Sequence, residues 1–191
     1  GMVGTALIRR LKAIRDGLDK TRLNLHVSEI YECDVLTPAY ELRDYCRQCD
    51  FVFHLAAIHR PDNPVDLFDV NCGFTAHVLD TLEELGNPCP VMFSSSIQAG
   101  KGIRFSNTPY GQSKREAEAR FFKYEADNGV PTFVYRFPNL LGHSSPYHNS
   151  AVSTFCYAIA NGLDYHVDDE HKVIEFLYID DLIDGMLDML S

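Results

Sequence analysis

Short apolar runs alternating with helical segments predict a doubly wound, parallel α/β fold for this chain. Three observations carry that expectation. Phe51-Val-Phe-His-Leu-Ala-Ala57 and Pro90-Val-Met-Phe-Ser94 are too short for helices and apolar at nearly every position, the pattern of strands covered on both faces. The stretches after them carry helical periodicity and end in glycine. The 191 residues, 46% hydrophobic and 23% charged, suit one globular domain rather than a disordered or fibrous chain.

The elements follow in order. Residues 4–16 place Leu7, Ile8, Leu11 and Ile14 on one helical stripe, with Gly17 as the stop. The extended stretch between 23 and 34 is ambiguous, and the run from 51 to 57 is the first clear strand. A helix over 71–85 closes at Gly86, and a strand covers 90–94. Residues 110–127 form a long charged helix ending at Asn128-Gly129, followed by a strand over Thr132–Arg136. A helix over 151–160, a strand over Val173–Leu177 and a helix over 180–190 complete the chain. Strand–helix alternation of this kind makes right-handed crossovers, and such sheets take ligands beyond the carboxyl ends of their strands.

Charge and composition exclude several classes. Seventeen Lys and Arg against 27 Asp and Glu give a formal charge of −10, which argues against nucleic acid or an anionic membrane as partner. No window approaches a membrane span and no basic leader opens the chain, so a cytoplasmic protein is expected. The six scattered cysteines agree with a reducing compartment. Cys46-Arg-Gln-Cys49 has redox or zinc spacing without a second half, and reads as two thiols on one helix. His59, His143, His148, His166 and His171 show no ligand spacing, so no metal is expected.

The chemistry is concentrated in Tyr110-Gly-Gln-Ser-Lys114 and Ser94-Ser95-Ser96. Four-residue spacing on a helix stacks Tyr110 and Lys114 on one face. A phenol titrates near pH 10, and a neighbouring ammonium is expected to bring it towards its working range. A serine at a strand end can hold the same substrate oxygen. Together these groups can move a proton on or off a carbonyl oxygen while hydride moves at carbon. The remaining charges of that helix (Arg115, Glu116, Glu118, Arg120, Lys123, Glu125) read as a solvated face.

This constellation resembles the extended short-chain dehydrogenases/reductases, the NAD-dependent epimerase/dehydratase family, over essentially the whole chain. The resemblance implies a Rossmann-like sheet with Ser96, Tyr110 and Lys114 as catalytic residues, Ser95 being the fallback for the serine. Lys114 would also hold the nicotinamide ribose. Gly1-Met-Val-Gly4 resembles the tail of the Gly-rich fingerprint, in which backbone meets a pyrophosphate at a helix N-terminus. The preceding first strand and its earlier glycine are not in the sequence, so a domain over 1–191 lacking its first strand is expected. Cofactor contacts are implied for Gly1, Gly4, Asp34, Val35, Leu55, Ala56, Ala57, Ser94, Tyr110, Lys114 and Pro138. Asp34 reads either as an adenine contact or as the ribose 2′-hydroxyl acceptor, the latter favouring NAD over NADP. Asn71 reads both as a helix cap and as the family's asparagine. Substrate contacts are implied for Ser95, Ser96, Asn139 and Asn149. Arg136 reads as a structural ion-pair partner, and Asp180 and Asp181 as caps of the last helix or substrate-side residues. Arg60, Lys101 and Arg104 read either as diphosphate contacts or as solvated loop charges.

Within the family, Ile58-His-Arg-Pro61, Ser94-Ser-Ser-Ile-Gln-Ala99, Phe137-Pro-Asn-Leu140, Asn149-Ser-Ala-Val-Ser-Thr-Phe-Cys156 and Tyr178-Ile-Asp-Asp181 are similar to the reductase domain of CapF-type capsular-polysaccharide enzymes. The resemblance implies reduction of the C4 ketone of a 4-keto-6-deoxy UDP-N-acetylhexosamine with NADP as cofactor (NAD the other option), and a homodimer. No cupin domain follows in the sequence, so no epimerase activity of that domain is expected here. A nucleotide-sugar epimerase or dehydratase with bound NAD, or an inert truncated relative, are the rival readings. The absence of an acidic residue in Ile97-Gln98 favours reductase or epimerase over dehydratase.

Overall fold

The computed structural model describes residues 1–58, 65–102, 106–142, 150–167, 169, 171 and 173–190. The chain divides into a central unit, Tyr31–Phe137, and a terminal unit, Gly1–Ile30 with Pro138–Ser191.

The central unit is built on three parallel strands, β1 (Val52–His54), β2 (Val91–Ser96) and β3 (Thr132–Phe137), in the order β1-β2-β3. β2 is buried at all six positions, as the unbroken apolar run requires of a middle strand. Its register pairs Phe93 with His54 on one side and with Val134 on the other. Helices α1 and α2 precede β1 in the chain, covering Met2–Arg15 and Ala39–Gln48. After β1, α3 (Val65–Phe68) runs into a π-helical turn over Asp69–Phe74 and then α4 (Thr75–Glu84). The helix expected over 71–85 is therefore present, but its first turn is widened around Asn71 and Cys72, a distortion common at functional sites.

After β2, a 3₁₀ turn over Ile97–Ala99 precedes the long helix α5, Pro109–Asn128. Its limits are local chemistry. Thr108 accepts a hydrogen bond from the Gly111 N–H, Pro109 supplies a preset first helical residue, and Gly129 ends the helix at φ +68°. The core gathers Leu42, Val78, Leu79, Leu82, Val91, Phe93, Ala117, Phe121 and Tyr124. Phe93 stacks on Phe121 with ring centroids 4.5 Å apart, fixing α5 on the sheet.

Cys46 is buried on α2 and Cys49 is its C-terminal cap. The Cys49 thiol faces Cys89, Sγ to Sγ 3.9 Å, rather than pairing with Cys46. The expectation of two thiols on one helix is corrected: Cys46 lies within α2, whereas Cys49 stands just past its end and turns towards Cys89. Asn87 secures the same corner by donating to the carbonyls of Cys46 and Cys49.

In the terminal unit, α1 packs Leu7, Leu11 and Ile14 against α7 (Ile179–Leu187). A two-stranded parallel ladder joins β4 (Asn139–Leu141) and β5 (Phe176–Tyr178), and α6 spans Ala151–Ala160. The strand expected at Val173–Leu177 lies at Phe176–Tyr178 instead, because its ladder partner β4 is three residues long; Val173 is left 89% exposed. Gly142 is required by close approach, since a Cβ there would stand 2.7 Å from Ile179 Cγ2. Residues 23–34, the ambiguous stretch, form no ladder. Among the described residues no helix is long and apolar enough to cross a membrane.

Candidate functional site

Parallel register brings the carboxyl ends of β1 and β2 to one edge of the central sheet. There Ser96 ends β2 in an extended conformation, and its Oγ accepts the Gln98 N–H at 3.2 Å, capping the 3₁₀ turn. Tyr110, the second residue of α5, is half-buried and hydrogen-bonds Ser96 through its side chain. One turn on, Lys114 is buried, and its Nζ donates to the Ser94 carbonyl at 2.6 Å. The ammonium also stands 4.6 Å from the centroid of the Phe93 ring and 6.0 Å from that of Tyr110. The three residues read from the sequence as a proton-transfer set are therefore held together in one unit. The bond to Tyr110 falls on Ser96, while the Ser95 hydroxyl donates to Glu118 at 2.5 Å.

Surrounding groups fix this edge. Asn71 clasps Ile58, accepting from its N–H at 2.9 Å and donating to its carbonyl at 3.0 Å. Its Nδ2 also donates to Ser113 Oγ at 3.1 Å, and Ser113 in turn donates to the Tyr110 carbonyl at 2.9 Å. So Asn71 is a bridge between the π-helical turn and α5. Arg115 donates to the carbonyls of Ala99 and Ser106, both at 3.0 Å, tying those two residues to α5.

Electrostatics follow from burial. Desolvation lowers Lys114 to about 8, opposed by the Glu118 carboxylate. Burial raises the Tyr110 phenol above its usual value, and the Ser96 hydrogen bond pulls it partly back. Lys114 was expected to lower that value; instead its amine is engaged at Ser94 and burial of the phenol prevails. His54 at the end of β1 is lowered to about 4 by burial, then by Lys114, and so is neutral at neutral pH.

The expectation of a solvated charged face on α5 is corrected at two positions. Glu118 is 3% exposed and receives Arg136 in a bidentate pair, at 2.8 Å from Nε and 2.7 Å from Nη2. Arg115 is half-buried in the bonds just described. Helical spacing puts Glu118 on the same face as Tyr110 and Lys114, but it does not tell a buried, paired carboxylate from a solvated one. Arg136 is the structural ion-pair partner that was expected.

The other residues singled out lie as follows. Leu55, Ala56 and Ala57 continue from β1, the last of them exposed, and Ser94 donates its hydroxyl to the His54 carbonyl at 3.2 Å. Asp34 and Val35 occupy an exposed turn in which Asp34 accepts the Leu36 N–H at 2.8 Å. Gly1 caps α1 and Gly4 lies in its first turn, within the terminal unit. Pro138 and Asn139 also belong to that unit, and Asn139 donates to the Glu175 carbonyl at 3.3 Å. Lys101, His166 and His171 are exposed. Asn149, His59, Arg60, Arg104, His143 and His148 lie outside the described residues.

Comparisons with known proteins give the family and the fold. The family model described as "NAD dependent epimerase/dehydratase family" matches residues 1–191. A UDP-2-acetamido-2,6-beta-L-arabino-hexul-4-ose reductase of Pseudomonas aeruginosa is 34% identical over 143 residues, 74% of this chain and 37% of that protein. The crystal structure of the capsular polysaccharide assembling protein CapF from Staphylococcus aureus superposes with a TM-score of 0.76 at 30% identity, covering 96% of this chain and 47% of CapF. RMD from Pseudomonas aeruginosa, solved with NADPH, shares the fold at 19% identity and a TM-score of 0.74, covering 97% of this chain and 71% of that one. The chain thus spans between a third and a half of the reductase and of CapF. A strand-end serine bonded to a helical tyrosine, a buried lysine one turn away and a match along its full length together place this chain in the NAD-dependent epimerase/dehydratase family, extended short-chain dehydrogenases/reductases with CapF-type enzymes among their near relatives.

Proposed function

We propose that this chain is the reductase portion of an enzyme that reduces the C4 ketone of a 4-keto-6-deoxy UDP-N-acetylhexosamine, for a capsule or surface polysaccharide precursor. The observation that carries the reading is the Ser96–Tyr110 hydrogen bond beside buried Lys114. The reductase relative, whose name specifies a hexul-4-ose, supports the substrate class.

The residues fit a nicotinamide cofactor by their donor chemistry: hydroxyls and an amine converge at the carboxyl edge of parallel strands, and the small residues Ala56 and Ala57 follow the neighbouring strand β1. Dihydronicotinamide, from NADPH or alternatively NADH, supplies the hydride in such a site. Lys114 would hold the ribose hydroxyls. Leu55, Ala56, Ala57, Ser94 and Pro138 would flank the cofactor, Gly1 and Gly4 its pyrophosphate, and Asp34 and Val35 its adenosine. Asn139 and Asn149 would contact the sugar nucleotide.

In this mechanism Ser96 donates a hydrogen bond to the substrate O4 and holds it beside Tyr110. As hydride reaches C4, the carbonyl π electrons move onto O4, and the Tyr110 O–H bond breaks to give that oxygen its proton. The resulting phenolate is stabilised by the nearby Lys114 ammonium and is reprotonated from solvent. The raised phenol value suits a proton donor, which must remain protonated until the oxygen demands the proton. A homodimer through the outer face of α5, where Phe122 is exposed, belongs to the same reading. So does a cytoplasmic setting, supported by the six free cysteines.

Incubation of the full protein with NADPH and a 4-keto-6-deoxy UDP-N-acetylhexosamine should consume absorbance at the dihydronicotinamide band and yield the C4 alcohol. No turnover with either NADPH or NADH would defeat the assignment.

A further inference from the structure

Glu118 combines three features that a surface carboxylate lacks. It is buried, it is hydrogen-bonded by two strands at once, and it stands one helical turn beyond Lys114. The register explains the convergence. Ser95 on β2 is paired with Arg136 on β3, and paired residues of neighbouring strands share a face. Both therefore reach the same carboxylate, which takes Ser95 Oγ and Arg136 Nε on Oε1 and Arg136 Nη2 on Oε2.

We propose that Glu118 is a positioning residue of this site: clamped by Ser95 and Arg136, it fixes α5 on β2 and β3 so that Lys114 meets the Ser94 carbonyl and Tyr110 meets Ser96, and its charge sustains the Lys114 ammonium. The inference rests on the reductase reading for its consequence in turnover, though not for its geometry.

The groups facing Lys114 are few. Its own helix presents Tyr110 and Glu118, β1 presents His54, β2 presents the Phe93 ring and the Ser94 carbonyl, and the π-helical turn presents Cys72. His54 is neutral at neutral pH, and burial pushes the Cys72 thiol up to about 11. Glu118 is held ionised although burial opposes its charge, because the bonds from Arg136 and Ser95 outweigh that cost. Among the described residues it is the ionised group that opposes desolvation of the lysine at neutral pH.

The sign of each perturbation follows. Glu118→Gln keeps the shape and deletes the charge, so Lys114 should lose its proton about one pH unit lower. Arg136→Gln removes a cation and leaves the carboxylate unshared, so the lysine should titrate higher. Lysine ε-carbon and ζ-nitrogen NMR on the full protein, without substrate, reads these midpoints directly. Opposite shifts in the two variants are expected, with Arg136→Lys returning the midpoint towards the parent value. In turnover, the basic limb of kcat/KM should move with the NMR midpoint. Glu118→Gln should then lose roughly fivefold at pH 8 and less than twofold at pH 6. A merely structural role would lower the rate equally at every pH and leave the Lys114 midpoint in place. Unmoved midpoints, or shifts of one sign in both variants, would overturn the proposal. Should Glu118→Gln fail to fold, Arg136→Gln at its half-exposed side chain still gives the sign. If the NMR shifts appear while the parent protein turns over no keto sugar, the reductase reading fails and the positioning role stands.

Discussion

The central and terminal units hold their chemistry in different ways. In the central unit each residue proposed for proton transfer has fixed neighbours: Ser96 bonds Tyr110 and caps a 3₁₀ turn, and Lys114 sits on a backbone carbonyl. In the terminal unit, Gly1 and Gly4, proposed for the cofactor, lie at a helix start, and Asn139, proposed for the substrate, is exposed at the beginning of a three-residue strand. The lesson is that proton transfer needs groups placed within hydrogen-bond reach, and a buried sheet edge holds the proposed set within that reach. Residues proposed to hold ligand stand here on shorter, more open backbone.

That contrast can be broken by mutation. Leu82 is fully buried in the central core, so Leu82→Ala should cost about 2–5 kcal/mol in chemical denaturation, and a loss under about 1 would mean the core is not consolidated. The next effect is pH-dependent. His54 binds a proton in the unfolded chain near pH 6.5 but in the folded one only near 4, so between these values the unfolded state holds more protons. Stability should fall by about 3 kcal/mol as pH drops through that window, and His54→Leu should remove this part of the slope. An unchanged slope in that variant would show that His54 is not the buried neutral group described. In the terminal unit, Gly142→Ala drives a Cβ into Ile179 and should cost about 1–3 kcal/mol by thermal melting. Val173→Ser, at a position 89% exposed, should change stability by less than about 0.5 kcal/mol; a larger loss would reveal packing around β5 beyond what its short ladder provides.

The same division governs how much could be read from the sequence. The doubly apolar β2 and the Tyr110–Lys114 spacing were legible, because a strand covered on both faces and an i, i+4 pair are local patterns. Glu118 was not, because its meaning depends on Arg136, on a strand 18 residues away, and a carboxylate in a charged helix looks alike whether solvated or buried. β4 passed unnoticed since three residues carry no periodicity, and β5 slid from its expected place to match it. The widening of the helix at Asn71 has no signature in composition; it shows only where the side chain clasps Ile58 and Ser113.

At the centre of the account is the phenol of Tyr110 as the proton donor to a reduced carbonyl. A single-turnover measurement of dihydronicotinamide oxidation by Tyr110→Phe, with keto sugar saturating and the fold verified by circular dichroism, tests this most directly. The rate should fall by a factor of about 10²–10⁴ with cofactor binding retained; a rate within a few fold of the parent protein would contradict the assignment.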